Sequence, residues 1–582
     1  MKQHLLKLVE AAVDGFKAET GLSIPDGISI RIERTRDERH GEFASNIAMN
    51  LAGAARLKPR DLAAELLKHL PDSEFIDKVE IAGPGFINFF LAQKAYLRVV
   101  PDILNSGKKF GQNNMGAGQH ILLEYVSTNP TGPLHVGHGR GAAYGASVAN
   151  LLEAAGYKVT REYYVNDAGR QMDILATSVW LRYLELCGSG IRFPDKAYRG
   201  DYIRRIAQHI FHEKRELFNK QADSNSYEAS TAAEGDAQLD LLISQAKTVL
   251  GREDFKYIHE TTLADILDDI KDDLAEFGIS FDIWFSEQSL ISSGEVEECV
   301  SALKKTGEIY EKDGAQWFRS TSYGDEKDRV VVRENGQLTY FAADIAYHLN
   351  KYSRGYSGMI NIWGADHHGS IARVKAAVKA LGRDPDLLAI LLVQFAVLYR
   401  GTEKVSMSTR SADYVTLRDL RQEVGNDAAR FFYVMRKSEQ HLDFDLELAK
   451  SQSSDNPVYY IQYAHARISS VMNQLSEQGL SYKQEEAFAC LDMLTQSHEQ
   501  LIMKSLVRYP EVIQTAAGSY EPHQICFYLR DLANEFHSYY NSHQFIVDDP
   551  ALRNARISLI LAVRQVIRNG LEILGVTAPD KM

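Results

Sequence analysis

Two histidines three residues apart, His135 and His138, close the segment 130–138, which reads PTGPLHVGH. The segment lies between a predicted strand and a predicted helix, the place where an open parallel sheet binds its ligand. The helix N-terminus would offer N–H groups to phosphates, and each histidine could donate to a phosphate oxygen as charge develops. Gly137 and Gly139 would let a nucleotide approach the backbone. The segment therefore predicts a nucleotide site, and an ordinary pair of loop histidines is the alternative interpretation.

A second polar cluster, Asp366, His367 and His368, follows a predicted buried strand at residues 359–363. Histidine and aspartate are zinc ligands, but no further cluster has the spacing that would complete a tetrahedral site. We therefore predict no metal site.

These segments require a doubly wound α/β domain to position them. A strand at 120–126, a small-residue helix at 139–155 and a strand at 157–165 form a βαβ unit, which we expect to be parallel and right-handed. Residues from about 175 to 273 are mostly helical, polar and irregular. They are most simply an insertion between the halves of this fold.

Two regions flank the central one. A short helix, strands and turn residues before the linker at 112–116 predict a small α/β module, and the periodicity after residue 417 is helical throughout. Within the central region Asn335-Gly336 predicts a type I′ hairpin. We therefore predict a small N-terminal α/β domain (1–115), a Rossmann-type catalytic domain with a doubly wound parallel sheet (116–416) and an all-helical C-terminal domain (417–582).

The composition is that of a globular protein: 582 residues, 45% hydrophobic and 25% charged. Its four cysteines are far apart, which argues against a CxxC zinc knuckle or a disulfide framework. No apolar run is long enough for a bilayer, and residues 1–20 lack a secretory signal, so a cytoplasmic location is expected. The net charge of −13 argues mildly against a protein coated in nucleic acid, although a locally basic groove is compatible with it.

The motif HVGH at 135–138 is similar to the HIGH signature of class I aminoacyl-tRNA synthetases, and the longer string EYVSTNPTGPLHVGH resembles the arginyl-tRNA synthetases in particular. Ordered matches run along the chain, among them YYVNDAGRQ at 163–171, YRGDYI at 198–203 and NPVYYIQYAHARI at 456–468. The resemblance implies an arginine–tRNA ligase that uses ATP with Mg²⁺ to make arginyl-adenylate. It then transfers arginine to the 3′-terminal adenosine of tRNA(Arg), releasing AMP and pyrophosphate. The family default is a monomer.

The second signature of the family is the KMSKS loop, whose lysines stabilise the triphosphate. The matching stretch here is VSMSTR at 405–410, with Ser406 and Thr409 at the two lysine positions. Lys404 and Arg410 are the nearest candidate cations, with Mg²⁺ taking more of the charge. By resemblance the other nucleotide contacts are Pro133, Gly137, Gly139, Gly364, Asp366, His367, Met407 and Ser408.

Arginine selection needs a planar, bidentate acceptor for a guanidinium that is always charged. By resemblance this role falls to Glu287, Tyr340 and Asp344, and Asn129 lies near the substrate amino group. From the residues alone, Asp344 could instead be a helix N-cap and Glu287 a solvated surface acid.

In the predicted helical domain the resemblance implies anticodon recognition, and in the N-terminal module recognition of the tRNA elbow. Tyr459, Tyr463 and Arg467 lie on one predicted helix, where they could stack on unpaired bases. The same stripe could equally be helix core.

Two other functions remain open at this point. A tRNA-binding paralogue without catalytic activity would account for the missing lysines, although His135, His138, Tyr340 and Asp344 are present. A small-molecule nucleotidyltransferase of the HxGH superfamily would share the central fold, but such enzymes are typically shorter and lack a helical tail.

Overall fold

The computed structural model describes residues 1–21, 29–35, 37–190, 193–220, 235–405, 407–408 and 413–582, with only the backbone described at 38, 407, 408, 413 and 414. Within these ranges no helix has both the length and the apolar character needed to cross a membrane.

The N-terminal region is a four-stranded antiparallel sheet, in the order β1-β2-β4-β3, covered by helices. Its core contains Leu5, Phe43, Leu62 and Phe89, all fully buried. In chain order its elements are α1 (Lys2–Thr20), β1 (Ile32–Arg34), β2 (Phe43–Ser45), α2 (Ile47–Ala55), α3 (Pro59–Lys68), β3 (Ile76–Ala82), β4 (Phe86–Leu91), α4 (Gln93–Leu97) and α5 (Val99–Ser106).

The central region contains the predicted parallel sheet and its insertion. Its elements are β5 (His120–Glu124), α6 (Val136–Ala154), β6 (Lys158–Val165), α7 (Arg170–Leu186), α8 (Asp201–Lys214), α9 (Gly235–Glu276), β7 (Ile283–Ser286), α10 (Glu287–Ser293), α11 (Glu295–Lys305), β8 (Ile309–Lys312), β9 (Ala315–Phe318), β10 (Arg329–Val332), α12 (Tyr340–Ser353), β11 (Gly358–Gly364), α13 (Ser370–Ala380), β12 (Leu388–Val393), β13 (Ala396–Arg400), β14 (Glu403–Lys404), β15 (Met407–Ser408) and β16 (Asp413–Tyr414).

The main sheet has the strand order β12-β11-β5-β6-β7, and every pair in it is parallel. Leu123 and Ile360 join the core that includes α6, whereas Leu122 and Met359 pack with Val374 of α13 on the opposite face. Helices therefore cover both faces, which is why these strands are apolar without alternation. The predicted doubly wound fold is confirmed.

The region around Asn335-Gly336 differs from the sequence-based expectation. The second run of the predicted Asn335-Gly336 hairpin makes a single bridge, Val332 to Leu338, because the chain enters α12 at Tyr340. The apolar run at 387–399 is two strands, interrupted at Gln394 and Phe395.

The C-terminal region is mainly helical. It comprises α14 (Leu417–Val424), α15 (Asn426–Val434), β17 (Leu442–Asp445), α16 (Leu446–Lys450), α17 (Pro457–Glu477), α18 (Gln484–Phe488), α19 (Ser497–Ser519), α20 (His523–Ser542) and α21 (Pro550–Leu574). The strand β17 departs from the expected all-helical pattern. It pairs in parallel with β13. Its buried residues, Leu442 and Phe444, alternate with more exposed ones, which is the pattern of a strand.

A buried network of polar side chains joins α12 to the three central strands. Glu124, Glu162 and Asn361 lie side by side in register on β5, β6 and β11. Lys351 of α12, fully buried, donates to Glu124 and, at 2.7 Å, to Asn361 Oδ1. Arg354 pairs with Glu162. Because two cations meet two carboxylates, these buried charges are neutralised in place.

We expect Lys351→Met to lower the free energy of unfolding by about 3–5 kcal/mol, because it removes the cation beside a buried carboxylate while keeping the side chain length. The measurement is urea unfolding followed by tryptophan fluorescence. The control is Lys379→Met on α13, where the lysine is exposed and a change within about 0.5 kcal/mol is expected. Equal unfolding midpoints for the two variants would show that the network does not stabilise the domain.

Candidate functional site: a cleft at the carboxyl edge of the parallel sheet

The two histidines of the HVGH segment cap the helix that follows them. His135 is the N-cap of α6, and its Nδ1 accepts from the Gly137 N–H at 3.0 Å. His138 Nδ1 accepts from the His135 N–H at 3.3 Å, and the two rings stack with centroids 3.5 Å apart. A nitrogen that accepts from a backbone N–H carries no proton, so we assign the proton of each neutral ring to Nε2.

Burial keeps both rings in that neutral form. It lowers the pKa of His135, and it lowers the pKa of His138 well below the usual 6.5, with the neighbouring His135 adding to the effect. At neutral pH each ring is therefore an Nε2–H donor at the N-terminus of α6, beside backbone N–H groups of the first turn. This arrangement suits an anion.

The chain that follows the second signature lies against this segment. The Val136 N–H donates to the Val415 carbonyl at 3.2 Å, and the Leu417 N–H donates to the Leu134 carbonyl at 2.8 Å. The backbone of Met407 and Ser408 forms a two-stranded ribbon with residues 413–414. The two backbone bonds tie the chain that leaves the second loop, at Val415 and Leu417, to the histidine segment.

The two candidate cations are placed differently. Lys404 is exposed in β14, where it pairs with Tyr399, and it is not among the described residues that line the cleft. Arg410, Ser406 and Thr409 lie outside the described residues.

A cleft of about 1180 Å³ opens at the carboxyl edge of the main sheet. The structure brings these predicted residues together along its wall: Asn129, Pro133, His135, His138, Asp344, Gly364, Asp366 and His367. Gly139 faces elsewhere, because a Cβ there would lie 2.8 Å from atoms of Leu417 and Tyr433. Its lack of a side chain serves packing of α6 and not the approach of a nucleotide.

Two carboxyl groups form an acidic pair at this edge of the sheet: Asp344 lines the cleft, whereas Glu287 is not among the lining residues. Glu287 begins α10 and is only 4% exposed. Asp344 lies in the second turn of α12, whose N-cap is Thr339. The N-cap interpretation of Asp344 and the surface interpretation of Glu287 are therefore both wrong.

The electrostatics of the pair follow from its burial. Desolvation, with the charges of Asp344 and Asp167 adding to it, raises the pKa of Glu287 to about 7. Desolvation likewise raises the pKa of Asp344 to about 7, against the opposing charge of Arg373. Glu287 Oε2 accepts no hydrogen bond from the described residues, and within them neither carboxyl forms a salt bridge. The pair is thus an acceptor suited to a planar cation.

The other two predicted arginine contacts, Asn129 and Tyr340, lie in separate segments. Asn129 Nδ2 donates to Gln171 Oε1 at 2.8 Å. Tyr340 starts α12 and is 55% exposed, and a Cβ on Gly169 would lie 3.2 Å from its hydroxyl. Tyr340 stands one helical turn before Asp344, as its spacing predicts, but it is not among the cleft-lining residues.

Several site residues were missed from the sequence because they come from distant segments. Gln171 and Tyr202 lie in two of the matched strings, the one signal that could have found them. Tyr202 of the insertion donates to the Thr131 carbonyl at 2.6 Å, which fixes the loop before the histidines. Arg373 and Phe395, which also line the cleft, had no local signal.

The predicted tRNA-binding stripe on α17 is half-buried and structured. Tyr459 and Tyr463 stack at 5.9 Å, and Arg467 lies 4.4 Å from the Tyr463 ring centroid. Arg467 also contacts the Tyr540 ring and donates to His537 Nδ1 at 3.2 Å. The stripe therefore lies beside the core made by the opposite face of α17.

Family models match nearly the whole chain. The model described as "Arginyl tRNA synthetase N terminal domain" matches residues 3–91, "tRNA synthetases class I (R), catalytic domain" matches 99–467, and "DALR anticodon binding domain" matches 461–582. The chain belongs to the arginyl-tRNA synthetases. The family resemblance and the class I catalytic fold inferred from the motifs are confirmed.

Relatives agree over the full length. The arginine–tRNA ligase of Thioalkalivibrio sulfidiphilus is 57% identical over 586 residues, and that of Hydrogenovibrio crunogenus is 54% identical over 592 residues, each comparison covering 100% of both chains. The solved arginyl-tRNA synthetase of Thermus thermophilus has a TM-score of 0.73 over 100% of both chains. At 22% identity that likeness supports the fold.

The acidic pair makes stability depend on pH in a predictable direction. Asp344 holds its proton up to about pH 7 in the native state, whereas the unfolded chain loses it near the ordinary value of about 3.9. The native state therefore binds more protons between these values, and the free energy of unfolding falls as pH rises through that window.

Between pH 5 and pH 8 we expect Asp344→Asn to lose less stability than the parent protein, by at most about 3 kcal/mol. Urea midpoints at both pH values measure this. Asp386→Asn, at an exposed aspartate, serves as the control and should follow the parent. An Asp344→Asn protein with the parent's pH dependence would contradict the raised pKa.

Proposed function

We propose that this protein is an arginine–tRNA ligase that activates arginine with ATP and transfers it to tRNA(Arg). The observation that carries the proposal is Asp344, which lines the same cleft as the capped histidines and whose charge acts on the buried carboxyl of Glu287. Membership of the family over the whole chain supports the same activity. The two alternatives, a non-catalytic paralogue and a small-molecule nucleotidyltransferase, are not favoured by that match.

The order of strands along the sheet edge suggests how the substrates lie. Glu287 follows β7 at one end, the histidine segment follows β5 in the middle, and Gly364 ends β11 towards the other end. Arginine would bind at the β7 end, the phosphates over the N-terminus of α6, and the nucleoside towards β11 and β12. Ligands of open parallel sheets bind at this edge.

The first step joins arginine to the nucleotide. An oxygen of the arginine carboxylate attacks the α-phosphorus of ATP, and the bond from that phosphorus to the bridging oxygen of pyrophosphate breaks. The carboxylate is already ionised, so no general base is needed. His135 and His138 donate Nε2–H to phosphate oxygens, and catalysis rests on positioning and charge stabilisation.

The second step transfers arginine to the tRNA. The 2′-hydroxyl of the 3′-terminal adenosine attacks the adenylate carbonyl carbon, and the bond to the AMP oxygen breaks. AMP leaves with that oxygen, and the proton of the 2′-hydroxyl passes to an oxygen of the departing phosphate or to water.

Arginine is selected by charge and shape. Asp344 and Glu287 accept from its guanidinium, Tyr340 covers it at the margin, and Asn129 lies near its amino group. Lysine offers no planar pair of donors and would leave a buried acceptor unsatisfied, so it is rejected without editing.

The nucleotide is held by the two loops at the middle and far end of the sheet. We assign to this role Pro133, Gly137, Gly364, Asp366, His367, Met407 and Ser408. Lys404 and Arg410 are the proposed cations for pyrophosphate. Mg²⁺ would enter with ATP, because the described residues contain no group of three His, Cys, Asp or Glu side chains that could hold it.

The remaining regions would bind tRNA. We assign residues 417–582 to the anticodon, with Tyr459, Tyr463 and Arg467 as contacts, residues 1–115 to the elbow, and residues 116–416 to catalysis. A monomer acting in the cytoplasm completes the proposal.

Arginine-dependent ATP–pyrophosphate exchange tests the activity. We expect exchange with cognate tRNA and none without it, because the second signature lacks both lysines and family members couple activation to tRNA. Exchange in the absence of tRNA would keep the activity and remove the coupling. A protein that binds tRNA but never catalyses exchange would be the non-catalytic paralogue.

Arginine binding should release protons at neutral pH. Asp344 and Glu287 have pKa values of about 7, so at pH 6.5 the pair is mostly protonated and the guanidinium, which needs carboxylates, must displace protons. Affinity for arginine should therefore fall as pH drops below about 7. Calorimetry at pH 6.5 in two buffers with different ionisation enthalpies measures the release.

Glu287→Gln and Asp344→Asn should each weaken arginine binding at least about tenfold, the loss for one charged hydrogen bond. Glu297→Gln, at an exposed glutamate on α11, is the matched control. Proton uptake, or binding independent of pH, would argue against the acidic pair as the guanidinium site.

A further inference from the structure

Phe395 lies in the short segment between β12 and β13, and its aromatic ring is one of those that line the cleft. Phe395 is 43% exposed and lines the cleft. A ring in a concave site with much of its surface open to solvent gains burial only when a ligand covers it.

The backbone on both sides of Phe395 is fixed. The Gln394 N–H donates to the Ser438 carbonyl at 2.8 Å, and the Gln394 carbonyl accepts from Arg140 Nη1 at 2.7 Å. Ala396, the next residue, is fully buried and pairs with Leu442 of β17. The backbone that carries the Phe395 ring is therefore fixed in position.

Arg140 connects this position to the histidine segment. It lies in α6 two residues after His138, is 1% exposed, and also donates to the carbonyls of Gln440 at 2.7 Å and Lys437 at 2.8 Å. The distance from the Phe395 backbone to the N-terminus of α6 is thus set by one buried guanidinium.

Two glycines make room for the ring. A Cβ on Gly137 would lie 3.3 Å from Phe395 Cδ1, and a Cβ on Gly364 would lie 3.4 Å from Cζ. The ring therefore spans the gap between the first turn of α6 and the end of β11. Both glycines are among the residues proposed to hold the nucleotide.

We propose that Phe395 binds the purine base of ATP by stacking and so places the α-phosphate over the histidines. This inference rests on the proposed function, since it names a binding residue for one of its substrates. The other parts of the substrates are matched elsewhere: phosphates need the donors at α6, and the guanidinium needs the acidic pair near β7. A planar base is the part that an uncharged ring at the β12 end recognises.

Three substitutions at this position test stacking. We expect Phe395→Ala and Phe395→Leu to raise KM for ATP about tenfold in tRNA-supported exchange, with KM for arginine changed less than about twofold. Phe395→Trp keeps a π face and should stay within about threefold of the parent. The matched control is Phe527→Ala on α20, where the phenylalanine is 44% exposed and KM for ATP should not change.

Unchanged KM for ATP in Phe395→Ala would overturn the proposal. A Phe395→Leu enzyme with the same KM for ATP as Phe395→Trp would also overturn it, because an apolar contact without a π face would then be sufficient.

Inhibitors separate the base from the phosphates. Phe395→Ala should weaken inhibition by AMP by the same factor as its KM for ATP, and leave inhibition by inorganic tripolyphosphate unchanged. Equal weakening of both inhibitors would indicate a general disturbance of the cleft and overturn the proposal.

Fluorescence of the Phe395→Trp protein tests binding without catalysis. AMP should change its emission, whereas tripolyphosphate should not. If AMP does so but the parent shows no arginine-dependent exchange, the proposed function fails and stacking stands. If exchange proceeds but AMP leaves the emission unaltered, stacking fails and the function stands.

Discussion

The structure of the cleft depends on the ion pairs buried between α12 and the central strands. Lys351 and Arg354 neutralise Glu124 and Glu162, and Tyr347 donates to Glu162 Oε1 at 2.7 Å. A buried carboxylate that loses its partner is costly, so α12 has one register against the sheet that satisfies all of them. Because Asp344 lies on the same helix, that register also sets where Asp344 faces the cleft.

His348 extends the same constraint towards the site. Its Nδ1 hydrogen-bonds the Asp344 carbonyl at 2.7 Å, and its Nε2 accepts from Asn361 Nδ2 at 2.9 Å. Burial and the charge of Lys351 lower the pKa of His348 to about 3, so the ring stays neutral and can serve both contacts. The helix turn that bears Asp344 is thereby bound to β11 as well as to the protein core.

Two features of the site are unfavourable for folding and useful for binding. The buried acids Asp344 and Glu287 have no salt-bridge partner among the described residues, and the ring of Phe395 remains partly in water. Each would be relieved by a different part of the substrates, the guanidinium and the base. The two histidines between these groups differ from them, because they already have hydrogen-bond partners. Their capping bonds fix both rings before a ligand binds. Rigid donors in the middle with unsatisfied groups at both ends favour simultaneous binding of two substrates.

The sequence by itself determined the local features: the loop between β5 and α6, the βαβ unit, the helical insertion and the family. These depend on short-range patterns of apolar residues, glycines and motif strings, which local geometry enforces. It also placed Tyr340 one turn before Asp344. It did not predict β17, because that strand depends on pairing with the distant β13. It extended the second strand of a hairpin too far, because Thr339 caps α12 there and the helix begins at Tyr340.

Only the tertiary structure decided which residues share the cleft and in what state. The burial of Glu287, the raised pKa of Asp344 and the exposed ring of Phe395 arise from contacts between different segments of the chain. Gly139 looked like a nucleotide contact from its position and proved to be a packing residue. A one-dimensional pattern records which groups are available, but desolvation and proximity are properties of the packed chain, and they set the chemistry of each group.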